Sequence, residues 1–130
     1  MLAAKENDQI VAVDTHIVMV PSPGGPVPTP MPMPYNGKLK QGLCSSVLVE
    51  DLQAATDGSV ALNDPPHVPT GGSFQVPPNN QATIKKPSGT VLFEDKPAAC
   101  LGDIAETCND PAAAPVGTVV VTQSSVLIGG

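Results

Sequence analysis

The residues best suited to chemistry in this 130-residue chain are two histidines and a cysteine, His16, His67 and Cys108. His16 lies in a run rich in Val and Ile. His67 and Cys108 each flank an Asn-Asp-Pro triplet, the histidine after the triplet at 63–65 and the cysteine before the triplet at 109–111. Imidazole and thiolate are the usual ligands of a four-coordinate zinc. The three residues therefore predict one structural zinc ion, provided that the fold brings them together.

The fourth ligand of such a site stays open on sequence grounds. Met33 offers a thioether, which suits copper(I) better than zinc. Cys100 is followed by an apolar residue and is better explained as a small buried side chain, and Cys44 is also interpreted as structural. Water and a carboxylate are further alternatives. No Cys-x-x-Cys finger is present, so the placement of these residues has to come from the rest of the chain.

A repeated segment supplies that placement. Full copies begin at Ser45 and Ser88, and a truncated copy spans 124–130. Each full copy has a β-branched run, an acidic pair, two alanines and a glycine-containing turn, followed by the Asn-Asp-Pro triplet. Such a unit cannot bury its own apolar face, so the copies must pack on one another. If a rotation relates them, the residues beside the triplets converge near its axis, and His16 joins them from the preceding strand.

The composition favours a folded, turn-dense all-β domain. Sixteen prolines and twelve glycines lie between regularly spaced Val, Ile and Leu runs, which is typical of short strands between turns. No window has a sustained helical period. The chain has two Phe, one Tyr and no Trp, so its core buries little apolar area and a metal ion is a suitable staple. The length predicts a single domain over residues 1–130.

The local pattern also predicts the elements. Prolines between residues 21 and 34 recur mostly at every second position, which excludes a helix or a central strand because proline fixes φ and donates no hydrogen bond. We expect a rigid extended segment that wraps over the surface, rather than a flexible linker. Residues 1–10 are predicted to be peripheral. The predicted strands are 10–20, 46–50, 54–62, those of a second repeat over 90–105, and two short strands within 116–128, with loops at 63–80 and 108–115.

Charge and hydropathy exclude several classes of protein. The net charge is −6, with six lysines that do not cluster and no arginine, which argues against nucleic-acid binding. No apolar run approaches the roughly 20 residues needed to span a bilayer, and residues 1–9 lack the apolar core of a secretory signal. Three cysteines without a signal peptide also argue against a disulfide framework. We expect synthesis in the cytoplasm, and export only as part of a larger assembly.

Taken together, the motifs resemble the proline-alanine-alanine-arginine (PAAR) repeat family over nearly the whole chain. The sequence Val-Leu-Phe-Glu-Asp-Lys-Pro-Ala-Ala-Cys-Leu-Gly-Asp at 91–103 is similar to the family repeat, with Cys100 in place of the arginine. The first copy is looser, with Gln-Ala-Ala-Thr at 53–56. Asp-Thr-His at 14–16 and Pro-Ser-Pro-Gly-Gly-Pro-Val-Pro-Thr-Pro at 21–30 look like the N-terminal signature of the branch found with contractile injection systems.

The resemblance implies a fold and a metal site. Members of the family are small β cones that cap and sharpen the blunt end of a trimeric β-helical spike, and a single chain can match such a partner only with pseudo-three-fold internal structure. A zinc ion near the apex, held by histidines and a cysteine, ties the tip together. This role falls on His16, His67 and Cys108. Relatives in the branch tend to have a third histidine where this chain has Met33.

The resemblance also implies partners and a location. We expect one copy per homotrimeric spike, docked through an apolar face at the wide end that is built from 47–49, 91–93 and 126–128. Leu127 and Ile128 look exposed in this prediction. The protein would lie at the tip of the particle, outside the cell or delivered into the target on firing. It would contact the target membrane transiently and bind no nucleic acid, and an effector cargo is a further partner that the family allows.

Two other classes of function compete with this prediction. A small zinc hydrolase would need three protein ligands and an open fourth position, which the count of His16, His67 and Cys108 fits. Glu106 is the nearest candidate base, but it has no supporting group, and no segment looks suited to form a pocket. We therefore do not expect an enzyme. The other class is a metal-buffering or generic structural module, which differs from a spike tip in having no spike partner.

Overall fold

The computed structural model describes residues 1–85, 87 and 91–128. In this part of the chain the protein is all-β, as expected, with eleven strands. The same residues contain no helix with the length and apolarity needed to cross a bilayer. The strands are β1 (Gln9–Val20), β2 (Val27–Gln41), β3 (Cys44–Val49), β4 (Leu52–Ala54), β5 (Val60–Asn63), β6 (Ser73–Phe74), β7 (Gln81–Ile84), β8 (Leu92–Phe93), β9 (Lys96–Pro97), β10 (Ile104–Thr107) and β11 (Ala114–Val120).

Six of these strands form a closed antiparallel ring. Their order is β1, β2, β5, β7, β10, β11, and β11 pairs with β1 to close the ring, while β6 adds to the far end of β1. The ring therefore consists of three successive strand pairs, β1–β2, β5–β7 and β10–β11. Closure leaves few unpaired edges and encloses an apolar interior. Its larger buried side chains are Ile10, Tyr35, Leu39, Ile84 and Val119.

Three short hairpins form a second layer at one end of this ring. Two of them are β3–β4 and β8–β9. The third is assembled from both ends of the chain, where Leu2 bridges Leu127 and the Ile128 N–H donates to the Met1 carbonyl over 2.8 Å. Residues 2–5 thus complete the truncated third repeat. The prediction that residues 1–10 are peripheral is wrong, because Ala3 and Ala4 are fully buried.

The three copies meet in a cycle of backbone hydrogen bonds. The Ala4 N–H donates to the Ala99 carbonyl (2.9 Å), Ala99 donates to Ala55 (3.0 Å), and Ala55 donates back to Ala4 (3.0 Å). All three alanines are 0 % exposed, because three backbones converge there and leave room only for methyl groups. We call these residues the alanine ring. A parallel cycle joins the N–H groups of Glu6, Asp57 and Leu101 to the carbonyls of Gln53, Pro97 and Leu2.

The same tight turn follows each alanine pair. Its last residue accepts, through a side-chain oxygen, a hydrogen bond from the backbone N–H three residues earlier, at 2.8–3.0 Å. Its third residue has positive φ and is Asn or Gly, the residues that adopt this conformation most easily. Each turn leads directly into β1, β5 or β10, so the repeats direct three strands toward the end opposite the short hairpins. The turns span 5–8, 56–59 and 100–103.

The proline-rich segment also differs from its prediction. It does not wrap outside the sheet but forms the first half of β2, which pairs with β1 from Val27 to Gln41. Its prolines at 28, 30, 32 and 34 alternate, so their nitrogens all lie on the edge away from β1. Among the described residues, no strand pairs with that edge until β5 joins at Gly37. An edge of this kind needs no N–H donors and accepts proline.

Several other strand and loop boundaries differ from those predicted from the sequence. The predicted strand at 54–62 is interrupted by the turn at 56–59. The predicted loop at 63–80 contains the short strand β6, and β11 begins at Ala114, inside the predicted loop at 108–115. Within 116–128 the second predicted strand is reduced to the single bridge at Leu127. Ser88 and Thr90, where the second copy was predicted to begin, and the last two glycines lie outside the described residues.

Replacing Ala4 with Leu should destabilise the protein, because the larger side chain overpacks the point where three backbones meet. We expect a loss of about 1–3 kcal/mol in the free energy of unfolding, measured by denaturant titration. Ala113 is exposed, so Ala113→Leu is the matched control and should change stability by less than about 0.5 kcal/mol. Equal stability of the two variants would mean that the N-terminal residues do not belong to the core.

Candidate metal centre

Four side chains meet at the end of the ring opposite the short hairpins. Asp14 and His16 come from β1, His67 from the segment after β5, and Cys108 from the residue after β10. One donor atom from each lies within 4.8 Å of the other three, an arrangement that can hold a metal ion. The three ligands predicted from the sequence are therefore brought together, and Asp14 joins them. We call these four residues the metal cluster.

One carboxylate oxygen lies at the centre of the contacts in the metal cluster. Asp14 Oδ2 is 2.9 Å from His67 Nε2, 3.3 Å from Cys108 Sγ and 4.0 Å from His16 Nε2. The other oxygen, Oδ1, accepts hydrogen bonds from the Thr107 hydroxyl and from the Asn109 amide. Asp14 is 0 % exposed. A carboxylate buried in this way is rigidly oriented by the groups that surround it.

His16 is buried without a hydrogen-bond partner on either ring nitrogen. Its Nε2 is 4.0 Å from Asp14 Oδ2, and its Nδ1 is 3.5 Å from Asp110 Oδ2. The rings of His67 and Phe74 pack against it, with centroids 4.9 and 5.9 Å away. A buried polar group with no partner costs about 1–3 kcal/mol. An imidazole placed beside a carboxylate and a thiol therefore fits the coordination of a cation.

The orientation of His67 is fixed from outside the metal cluster. Its Nδ1 lies 3.3 Å from the Asn63 amide nitrogen, and its backbone N–H donates to Asn80 Oδ1 over 2.8 Å. Asn80 Oδ1 also accepts from the Asn63 amide at 3.3 Å. These contacts turn Nε2 toward Asp14. Supports of this kind on the second ring nitrogen are typical of metal-binding histidines.

The Asn-Asp-Pro triplets hold the strands on which the site is built. Asn109 Oδ1 accepts from the Thr15 N–H at 2.8 Å, and Asp110 Oδ2 accepts from the Ile17 N–H at 2.9 Å. In the first copy, Asn63 Oδ1 accepts from the Asn36 N–H at 3.0 Å. The repeated triplet therefore clamps a neighbouring strand next to each ligand. This explains why a histidine and a cysteine beside equivalent triplets end in one cluster.

The electrostatics of the cluster favour a cation. Burial, followed by the neighbouring Asp14 carboxylate, raises the pKa of the Cys108 thiol to about 12. A bound metal ion offsets both effects, because its charge stabilises the thiolate. One carboxylate, one thiolate and two neutral imidazoles carry two negative charges, which a divalent ion neutralises. His16 and Cys108 also line the inner part of a cleft between 76–79 and 109–113.

The other candidate ligands lie in different places. Cys100 is 0 % exposed and lies in the third turn after the alanine ring, and Cys44 packs with the short hairpins, where its thiol donates to Glu94 over 3.1 Å. Neither belongs to the metal cluster. Met33 is buried on β2 directly opposite Asp14. Asp14 was not among the predicted ligands, although its position two residues before His16 on a strand places both side chains on one face.

Comparison with known protein families, with curated proteins and with solved structures finds no match to this chain.

Replacing Cys108 with Ser should reduce the metal content of the purified protein and lower its Tm. The reason is that metal binding contributes directly to folding free energy in small sites, and we expect a drop of more than about 5 °C. Elemental analysis and thermal unfolding with and without a chelator measure both effects. Cys100→Ser and Cys44→Ser are matched controls that should retain the metal. An unchanged metal-to-protein ratio in Cys108→Ser would remove this residue from the site.

Proposed function

We propose that this protein is a PAAR-like tip that caps the homotrimeric spike of a contractile injection system. In this proposal the ring narrows toward the metal cluster to give a cone, and one structural zinc ion ties its apex. The observation that carries the proposal is the alanine ring, with the three equivalent hairpins around it. One chain that presents three equivalent hairpins is suited to a partner with three-fold symmetry.

The surface best suited to meet such a spike differs from the predicted one. The first and last residues of each predicted docking run are buried or partly buried, and Val49 and Ile128 are only 1 and 3 % exposed. The runs are 47–49, 91–93 and 126–128. Ile128 is therefore not an exposed contact. Alternate residues of a strand point to opposite faces, which leaves the middle residue of each run in solvent. These residues are Leu48, Leu92 and Leu127, with exposed fractions of 56, 57 and 73 %.

The equivalence of these leucines strengthens the proposal. Leu48 pairs with Gln53, Leu92 with Pro97 and Leu127 with Leu2, in the same register of the three hairpins. Exposed apolar side chains are common on protein surfaces, but three of them at equivalent positions of a repeat are what a three-fold partner requires. A three-fold spike would bury all three in equivalent environments.

The opposite end suits transient contact with a membrane. Three stretches of chain that lead to or from the metal cluster, 15–37, 65–84 and 111–120, contain no Asp, Glu, Lys or Arg. The acidic residues near the metal cluster outside these segments are the buried Asp14, the half-buried Glu106, Asp110, which contacts β1, and the exposed Asp64. Charged side chains are expensive to move into a bilayer. An end with so few exposed charges meets less resistance from lipid than the lysine- and acid-bearing hairpin end would.

Burial of the metal cluster favours a structural ion over a catalytic one. The side chains of Asp14, His16 and His67 are at most 3 % exposed, and Cys108 is 7 % exposed. A zinc hydrolase needs an open coordination position that water and substrate can reach. A structural metal ion has only to hold β1 to the segments that follow β5 and β10, and stiffness at this end is what a puncturing tip requires.

Replacing any one of the three leucines with Asp should weaken binding to the spike, because each places a charge in an apolar contact. We expect each single variant to lose at least about tenfold in affinity, measured by calorimetry against the recombinant homotrimeric spike of the same injection system. The expected stoichiometry is one copy per three spike chains. Val13 is 63 % exposed on β1, so Val13→Asp is the matched control and should bind normally.

Metal content should stay constant across the three leucine variants, since the leucines lie at the other end of the protein. Full affinity in all three leucine variants would contradict the proposed docking face. A stable homotrimer of the isolated protein, or a stoichiometry of one copy per spike chain, would contradict the tip function itself.

A further inference from the structure

We propose that Asp14 is itself a metal ligand, which completes a site of one carboxylate, two imidazoles and one thiolate. A four-coordinate zinc with bonds of about 2.0–2.3 Å has its ligand atoms about 3.3–3.8 Å apart, the edge of the tetrahedron. The distances from Asp14 Oδ2 to the donor atoms of His67, Cys108 and His16 are 2.9, 3.3 and 4.0 Å. The shortest of these distances lies below the edge of a zinc tetrahedron, the middle one matches its lower limit, and the longest lies above it.

The same distances show which position the oxygen holds. An atom at the metal's own place would lie about 2.0–2.3 Å from every ligand, and Asp14 Oδ2 is farther than this from all three. The proposal therefore places the oxygen at a vertex of the coordination polyhedron, with the ion between it and the other donor atoms, which all lie within 4.8 Å of one another.

The second oxygen of Asp14 is engaged elsewhere, which orients the first. Oδ1 accepts from the Thr107 hydroxyl and from Asn109 Nδ2, and Asn109 also donates to Thr107 Oγ1 over 2.9 Å. Ligating carboxylates are usually held in this way by hydrogen bonds outside the coordination sphere. The contacts fix the carboxylate with Oδ2 toward His67 and Cys108.

Met33 is the main competitor for the fourth position. It faces Asp14 across the β1–β2 pair and is 7 % exposed. A thioether is a soft, neutral ligand that suits copper(I), whereas a carboxylate suits zinc. Only the carboxylate adds the second negative charge that a buried divalent ion needs for neutrality. We therefore assign the fourth position to Asp14 and a packing role to Met33.

The test compares Asp14→Asn with Asp110→Asn, since Asp110 places the same group 3.5 Å from His16 Nδ1, on the far side of that ring from the cluster. Both proteins are loaded with Co²⁺, whose visible absorption reports coordination number and whose thiolate charge-transfer band reports Cys108. We expect Asp14→Asn to keep the thiolate band, to change the visible bands, and to lose more than about a hundredfold in zinc affinity by chelator competition. Asp110→Asn should keep the visible bands and lose at most about 10–100-fold, as a partner outside the coordination sphere does.

Unchanged visible bands in Asp14→Asn would overturn the assignment. So would altered bands in Met33→Leu, because they would make the thioether the ligand. If Asp14→Asn does not fold, a crystal structure of the zinc-loaded wild-type protein decides the question. A zinc–Oδ2 distance of about 2.0–2.2 Å supports the assignment, and a distance beyond about 3 Å contradicts it.

The metal cluster forms within one chain, so these results do not depend on whether the protein binds a spike. Loss of spike binding in the leucine variants and a changed metal site in Asp14→Asn are separate outcomes.

Discussion

The convergence of three backbones at the alanine ring constrains the rest of the structure. The cycle through Ala4, Ala55 and Ala99 satisfies the N–H and carbonyl groups of three chain segments at once, in a place where water cannot reach them. Unpaired groups there would each carry the full cost of desolvation. The cycle closes only if all three copies adopt the same turn and hold small residues. The fold therefore requires three equivalent copies of the repeat at the alanine ring. Residues from the two ends of the chain form the third copy.

The metal cluster depends on that geometry. Since β1, β5 and β10 start from equivalent turns, their continuations reach the same end of the ring, where Asn63, Asn109 and Asp110 clamp the adjacent strands. The cluster then buries more polar atoms than the small apolar core would tolerate without partners. A cation held there would offset this cost, because its coordination would link segments that are distant in sequence. A single bound ion would thus compensate both for the small apolar core and for the buried polar side chains.

Sequence reading succeeded where the signal was local or repeated. The strand predicted at 10–20 matches β1 to within one residue. The meeting of His16, His67 and Cys108 was predictable because equivalent positions in a repeat imply equivalent positions in space. Sequence reading fails at residues 1–10, since a repeat divided between the two chain ends looks like a short polar tail. Asp14 was missed as a member of the cluster for a different reason. Many carboxylates lie beside histidines in sequence, and only the three-dimensional fold shows which of them lie close enough to share an ion.

The alternating prolines of β2 have a consequence for how the protein behaves beside other copies of itself. An unpaired strand edge normally offers a row of N–H donors and carbonyl acceptors, which invites another strand to add and polymerise. Along residues 27–34 the nitrogens that would face an incoming strand belong to prolines, so the edge has acceptors but no donors. An intruding strand would gain only half of its hydrogen bonds. Among the described residues, the longest hairpin therefore offers an incoming strand a poor template, although its proline edge carries no charged residue.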